Sequence, residues 1–167
     1  LPPRGILIGD SYLPRFGRAL PATLVEALRK ADLILHAGDL TDAFVLDLLE
    51  AHAPTIAVAG NNDPPPLQAR LGATRIVEVE RVRIGLTHGH AGAGRTTPER
   101  ARRTFADADP PLDVIAFGHS HQPMIERREG LWLHNPGSPT DRRREPAFSF
   151  IRLDVDASTL VPVLVRY

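Results

Sequence analysis

Cysteine is absent from this 167-residue chain. That excludes disulfides, thiolate metal ligands and a cysteine nucleophile. Any metal must be held by His, Asp, Glu, Asn or water, and seven histidines are available. An excess of one charge is lacking too, since twenty basic side chains balance twenty acidic ones. Zero net charge argues against a generally basic nucleic-acid binder. No apolar run approaches the roughly 20 residues that span a bilayer. No charged n-region with an apolar h-region opens the sequence. These features fit a cytoplasmic protein. Trp132 and the six phenylalanines are not interleaved with the arginines. This argues against a single-strand nucleic-acid groove and points to core or subunit contacts.

The balance of 43% hydrophobic and 24% charged residues is that of a globular protein. The length suits one domain over residues 1–167. Gly5 to Ile8 is a short apolar run followed by Gly9-Asp10, which reads as a buried strand ending in a loop. Leu24, Val25 and Leu28 recur at helical spacing. A second strand falls between Asp32 and Ala37 and ends at Gly38-Asp39. Thr41 or Asp42 is placed to N-cap a helix with Phe44, Val45, Leu48 and Leu49 on its apolar face. A third strand over Thr55 to Ala59 ends at Gly60-Asn61-Asn62-Asp63. Pro64-Pro65-Pro66 reads as a loop. Strands joined by helices favour a parallel sheet. In such sheets ligands bind at the C-terminal ends of the strands, where Asp10, Asp39 and Asn61 fall.

The second half changes character. Thr74 to Glu80 and Val82 to Thr87 read as adjacent strands with a turn near Arg81. Pro98 opens a helix to about Ala106. Asp113 to Phe117 is a buried strand ending at Gly118-His119-Ser120-His121. Met124–Arg128, Leu131–His134, Ala147–Asp154 and Leu160–Arg166 form a mostly antiparallel series. The pattern predicts an α/β fold of two packed sheets with flanking helices.

Five polar clusters thus follow strands: Asp10, Gly38-Asp39, Gly60-Asn61-Asn62-Asp63, His88-Gly89-His90 and Gly118-His119-Ser120-His121. Carboxylates, imidazoles and an amide oxygen are a ligand set for Mn²⁺, Fe or Zn²⁺ without thiolates. A single Gly-Asp is usually a turn and a single His-x-His is weak, but their order along successive strand ends points to a metal centre. Two metals about 3.5–4 Å apart are the usual apparatus for hydrolysing phosphate esters.

This order of motifs resembles the calcineurin-like metallophosphoesterase superfamily, and within it the small YfcE-like phosphodiesterase family. The resemblance extends to Ile34-Leu35-His36-Ala37-Gly38-Asp39 and Asn135-Pro136-Gly137-Ser138-Pro139. It implies a four-layer αββα sandwich of two mixed sheets and a dinuclear metal site. It also implies hydrolysis of a small phosphodiester by a metal-bridging hydroxide. By the resemblance Asp39 bridges two divalent cations, manganese foremost, with iron, zinc or nickel as alternatives. Asn61, His88 and His119 complete the second site, while Asp10 and His121 hold the first metal. His90 lies near the substrate phosphate, Asp63 orients its neighbours, and His36 supports the site from behind or packs. The partner implied is a small phosphorylated substrate, and dimers and tetramers occur in the family.

Two positions depart from the superfamily pattern. Its first motif is Asp-x-His, whereas this chain reads Asp10-Ser11-Tyr12. A phenol with a pKa near 10 is a poor ligand, so the first site is expected to be weak or empty. The alternative is a metal-bound Tyr12 phenolate. Asn62 stands where many members carry a general-acid His, and an amide delivers no proton at neutral pH. Two arginine clusters lie outside the metal set. Asp141-Arg142-Arg143-Arg144 is either a solvated loop or brings one guanidinium to a phosphate. Arg100, Arg102 and Arg103 read as a solvent-facing helix surface. A rival reading of the whole chain comes from the same fold in the retromer complex, where it serves as a protein-binding scaffold with an altered metal site.

Overall fold

The computed structural model describes residues 2–167. Ten strands form two five-stranded sheets. The first half supplies β1 (Arg4–Ile8), α1 (Ala22–Leu28), β2 (Leu33–His36), α2 (Phe44–Glu50), β3 (Thr55–Ala57) and α3 (Pro65–Leu71). The second half supplies β4 (Thr74–Val79), β5 (Val82–Thr87), α4 (Thr97–Thr104), β6 (Val114–Ala116), β7 (Met124–Arg128), β8 (Leu131–Asn135), β9 (Ser149–Asp156) and β10 (Thr159–Arg166). One sheet runs β10-β9-β1-β2-β3, with β1, β2 and β3 parallel and β9 and β10 antiparallel. The other runs β4-β5-β6-β8-β7, with parallel pairing of β5, β6 and β8 inside two antiparallel edges.

Side-chain alternation along each strand builds the layers. From β1 and β2, Ile6, Ile8 and Ile34 face outward onto Leu24, Leu28, Val45, Leu49 and Leu67 of α1, α2 and α3. Leu7 and Leu35 face inward, against Ile84, Leu86, Val114 and Ala116 of the second sheet. Ile115, Phe117 and Leu133 lie on that sheet's outer side with Ala101 of α4. The order helices, sheet, sheet, helix is the αββα sandwich expected from the sequence.

Several local readings change. Pro65 and Pro66 begin α3 instead of marking a loop. The first turn of a helix has no intrahelical use for their missing N–H groups, and Leu67 just after them is buried. Helix α4 begins at Thr97, with the Thr96 side chain accepting from the Glu99 backbone N–H. Helix α2 starts after Ala43, and Asp42 Oδ1 accepts from the Phe44 N–H at 3.0 Å without being the cap residue. The late strands are mostly antiparallel as expected, in the pairs β7–β8, β9–β10 and β1–β9, but they divide between the two sheets and β8 pairs parallel with β6.

Candidate metal centre

The loops after β1, β2, β3, β5 and β6 meet at one end of the seam between the two sheets. Asp10, Asp39 and Asn61 arrive from the first sheet, and His88, His119 and His121 from the second. Sharp turns achieve this. Asp10, Asp39, His119 and His121 all have positive φ, between 53° and 70°. Non-glycine residues in that region carry backbone strain of order 1 kcal/mol or more each, which concentrates at functional sites. At Gly60, a side chain would collide with the Asp39 carboxylate, so the third-strand loop can approach only as glycine.

Asp39 and His88 form the centre. His88 Nδ1 donates to the Ala37 carbonyl at 2.7 Å, which aims Nε2 inward. That nitrogen lies 3.2 Å from Asp39 Oδ2, 3.1 Å from Asn61 Oδ1 and 3.9 Å from Asp10 Oδ1. Asp10, Asp39 and His88 each offer an atom within 4.8 Å of the others. His121 Nδ1 donates to the Asp141 carbonyl at 2.6 Å, leaving Nε2 directed at Asp10 Oδ1, 3.5 Å away. The rings of His119 and His90 stand 5.1 and 5.3 Å from that of His88, and His90 is exposed at the mouth. Orienting a ligand imidazole through its other ring nitrogen is a recurring feature of metal sites.

Charge is arranged to suit a cation. Burial pushes the Asp10 carboxyl up to about 7, with His88 pulling against it. For Asp39 burial also opposes ionisation, but hydrogen bonds from His88 and Asn62 outweigh it and hold the carboxylate well below its usual range. Burial lowers His88, yet Asp39 and Asp10 together outweigh it and raise it. Burial pushes His119 down to about 4 and also lowers His121 and His90, leaving these rings neutral and able to ligate.

Asp10 Oδ1 and His121 Nε2 are buried with no hydrogen-bond partner. Two orphaned acceptors facing each other are costly in a folded protein, and a bound cation satisfies both. The donor set therefore fits a divalent metal. Asp10 and His121 would hold it on one side, and Asn61, His88 and His119 on the other, with Asp39 between.

Tyr12 faces this centre. Only 5% exposed, it donates from its hydroxyl to Asp39 Oδ2 at 2.8 Å and accepts from Asn62 Nδ2 at 3.0 Å. Asn62 Nδ2 also donates to Asp39 Oδ2 at 2.9 Å. Burial and the bond to Asp39 push the phenol up, so it stays protonated. Asp63 accepts from the backbone N–H groups of Asp39, Thr41 and Gly60 at 3.0, 2.7 and 2.7 Å. It thereby ties the second-strand loop to the third. His36 lies behind the site, bonded to Ser11 Oγ at 2.9 Å and accepting from the Gly38 N–H, and burial pushes it down to about 3.

Sequence reasoning gave no role to three other residues. Asn135 Nδ2 donates to the Gly118 carbonyl and to Ser120 Oγ, both at 3.0 Å, bracing the loop of His119 and His121. Ser138 Oγ donates to the Asp10 carbonyl at 2.7 Å. Arg100 does not simply face solvent, since its Nε donates to the Gly89 carbonyl at 2.9 Å and anchors α4 to the His88–His90 turn. The Asn-Pro-Gly-Ser segment was the available signal for the first two. Nothing in the spacing of Arg100 marks it.

An αββα sandwich whose strand ends gather carboxylates and imidazoles without thiolates has the architecture of a metallophosphoesterase. The sequence pattern of the calcineurin-like phosphoesterase superfamily domain matches residues 6–158, and the chain belongs to that superfamily. A probable metallophosphoesterase of Methanothermobacter thermautotrophicus is 36% identical over 149 residues, 89% of this chain and 84% of that protein. Vps29 from Chaetomium thermophilum shares the fold with a TM-score of 0.80 at 20% identity, covering 99% of this chain and 95% of that one. Vps29 from Entamoeba histolytica, solved in complex with zinc, gives 0.75 at 23% identity and covers 98% of each chain.

Proposed function

We propose that this protein is a divalent-metal-dependent phosphodiesterase acting on a small phosphorylated substrate. The observation that carries this reading is the facing pair of unpartnered buried atoms, Asp10 Oδ1 and His121 Nε2, beside the Asp39–His88 pair. A cation bound there supplies Lewis acidity, activating water and neutralising phosphate charge. The chain's own residues do the rest. Asp63 fixes the Asp39 loop by three backbone hydrogen bonds. Asn135 and Ser138 fix the loops that carry His119, His121 and Asp10. His90, lowered by burial and by the neighbouring His88, is an exposed neutral imidazole able to donate a hydrogen bond to a phosphate oxygen. Asn62 has no proton to give a leaving group and is occupied in holding Asp39 and Tyr12. Protonation therefore falls to water, because a neutral His90 has no acidic proton to deliver. Loss of a general acid is worth roughly 10²–10⁴-fold, which favours substrates with good leaving groups. We assign manganese first, with iron, zinc or nickel as alternatives, and expect the side near Tyr12 to fill more weakly. The test is Asp39→Asn, which abolishes Mn²⁺-dependent cleavage of bis-p-nitrophenyl phosphate. Full activity in that variant sinks the assignment.

A second reading, a protein-binding scaffold, is favoured by one observation: Tyr12 takes the place of a metal-binding imidazole while its hydroxyl occupies Asp39. Elemental analysis of protein purified without chelator separates the two. Substoichiometric metal after Mn²⁺ addition favours the scaffold.

A further inference from the structure

The edges of the two sheets, β10 and β3 on one and β4 and β7 on the other, are not equally protected. An edge strand exposes unpaired N–H and C=O groups that another strand can bond, and proteins blunt such edges with prolines, charges or short length. Strand β3 is only three residues long. Strand β7 presents Glu126, Arg127 and Arg128 in succession. In β10, Tyr167 and Phe148 exchange both backbone hydrogen bonds. Counting back in twos along the register, Val165, Val163 and Val161 bond to β9. Pro162 therefore falls where an N–H would point away from the sheet, and it blocks that edge. Strand β4 is six residues long and contains no proline. Of its two charged residues, Glu78 is already paired with Arg83 of β5 at 2.8 Å. The two-residue turn Glu80–Arg81 closes the β4–β5 hairpin at Val79 and Val82. Bonded pairs alternate from there, so Val77 and Arg75 face β5. The N–H and C=O groups of Thr74, Ile76 and Glu78 point outward. Ile76 is 47% exposed. Arg75 shares a sheet face with buried Val77 yet is exposed, so the other sheet does not extend beneath that end of β4.

We propose that β4 is the pairing edge of a homodimer, lying antiparallel to β4 of a second copy across a twofold axis at Ile76. The patch is self-complementary, as a twofold contact must be. With the axis at Ile76, the Ile76 residues of the two copies stand opposite each other, and Thr74 of each copy stands opposite Glu78 of the other. Each of these pairs exchanges both N–H···O=C bonds, so every outward group of Thr74, Ile76 and Glu78 is satisfied. The two exposed isoleucine side chains meet on one face. Other registers do worse. An axis at Arg75 or at Glu78 sets like charges directly opposite, which is destabilising, and an axis at Val77 leaves Thr74 unpaired. The two copies of the β4-β5-β6-β8-β7 sheet then form one continuous sheet. One strand pair is a small contact beside the roughly 1,600 Å² of a standard interface, so the dimer is weak and concentration-dependent. It stands apart from the metal centre and does not rest on the hydrolytic reading.

The test is sedimentation equilibrium of the full chain between about 10 and 500 µM, with amide hydrogen exchange followed residue by residue. The dimer fraction is expected to rise across that range. The amides of Thr74, Ile76 and Glu78 gain protection with concentration, while those of Leu160 and Leu164, outward on the proline-blocked β10 edge, do not. Ile76→Pro removes an N–H that the monomer does not use and weakens the dimer by about tenfold or more. Ile76→Glu keeps the N–H but sets like charges against each other at the axis, with the same result, and it carries the test if the proline variant fails to fold. Val161→Glu changes the exposed valine of β10, 52% exposed in the wild type, and leaves the dimer intact. A monomer at every concentration overturns the proposal. So does a dimer that survives Ile76→Glu, a dimer lost in Val161→Glu, or exchange at Thr74, Ile76 and Glu78 that ignores concentration.

Discussion

Replacing Tyr12 with phenylalanine removes one oxygen and leaves the ring. The lost hydroxyl donates to Asp39 Oδ2 at 2.8 Å, the atom that also faces His88 Nε2 at 3.2 Å. A hydrogen bond to a charged group is worth about 1.5–3 kcal/mol. A cation binding at Oδ2 must displace that bond, so the phenol opposes metal by the same amount. Its removal should tighten Mn²⁺ binding roughly 10- to 100-fold. Asn62 Nδ2 keeps its bond to the carboxylate in the variant, so the loop need not rearrange. Isothermal titration with Mn²⁺, with metal content checked by elemental analysis, gives both affinity and stoichiometry. Tyr12→His is expected to go further, adding a second equivalent of metal on the Asp10–His121 side. Weaker metal binding by Tyr12→Phe would refute this reasoning and identify Tyr12 as a phenolate ligand. Unchanged affinity would show that the hydroxyl does not compete for Asp39.

Two further predictions concern protons. His134 is fully buried with neither ring nitrogen bonded, and burial pushes it down to about 4. Its lowered folded pKa means that stability is intact above about 6.5 and falls as pH drops from there towards 4, where the unfolded chain binds a proton that the folded one does not. Urea unfolding of metal-free protein at pH 8 and pH 4.5 should show His134→Leu sparing about 2.5 kcal/mol of the wild-type loss, and identical losses in both proteins would refute it. Metal binding should also release protons and weaken as pH falls through about 7, because Asp10 is raised to about 7 and His88 is raised too. Titrations in buffers of different ionisation enthalpy count those protons, and a pH-independent affinity between 6 and 8 argues against the Asp10–His88 ligand set.

The αββα fold and the strand-end loops that gather the candidate site were both legible in the sequence, whereas the strand pairing was not. Asp10, Asp39, Asn61, His88 and His119 follow apolar runs that end in the turns bringing them together, so strand periodicity alone located the loops. The parts that were not legible depend on contacts distant in sequence. That β9 returns to pair with β1 is a matter of partner choice across more than a hundred residues, with Leu7 opposite Ile151, and no local pattern encodes it. Helix α3 was hidden because prolines punctuate loops and also open helices, and only the burial of Leu67 separates the two. The hydrogen bonds of Tyr12 were equally hidden. The sequence marks a missing imidazole, but only the packing of Asn62 against both partners shows the phenol on Asp39.

The position of the centre on the seam has a mechanical consequence. The two sheets meet like the leaves of a book, held along their faces by apolar contact, with ligands from one leaf opposite ligands from the other at one end. A cation gripped there is a clasp across the open edge. Its occupancy would couple ion supply to the stability of the whole sandwich, adding about 2.7 kcal/mol when free metal exceeds Kd a hundredfold. A cell depleted of that ion would then lose the protein's resistance to unfolding along with its chemistry.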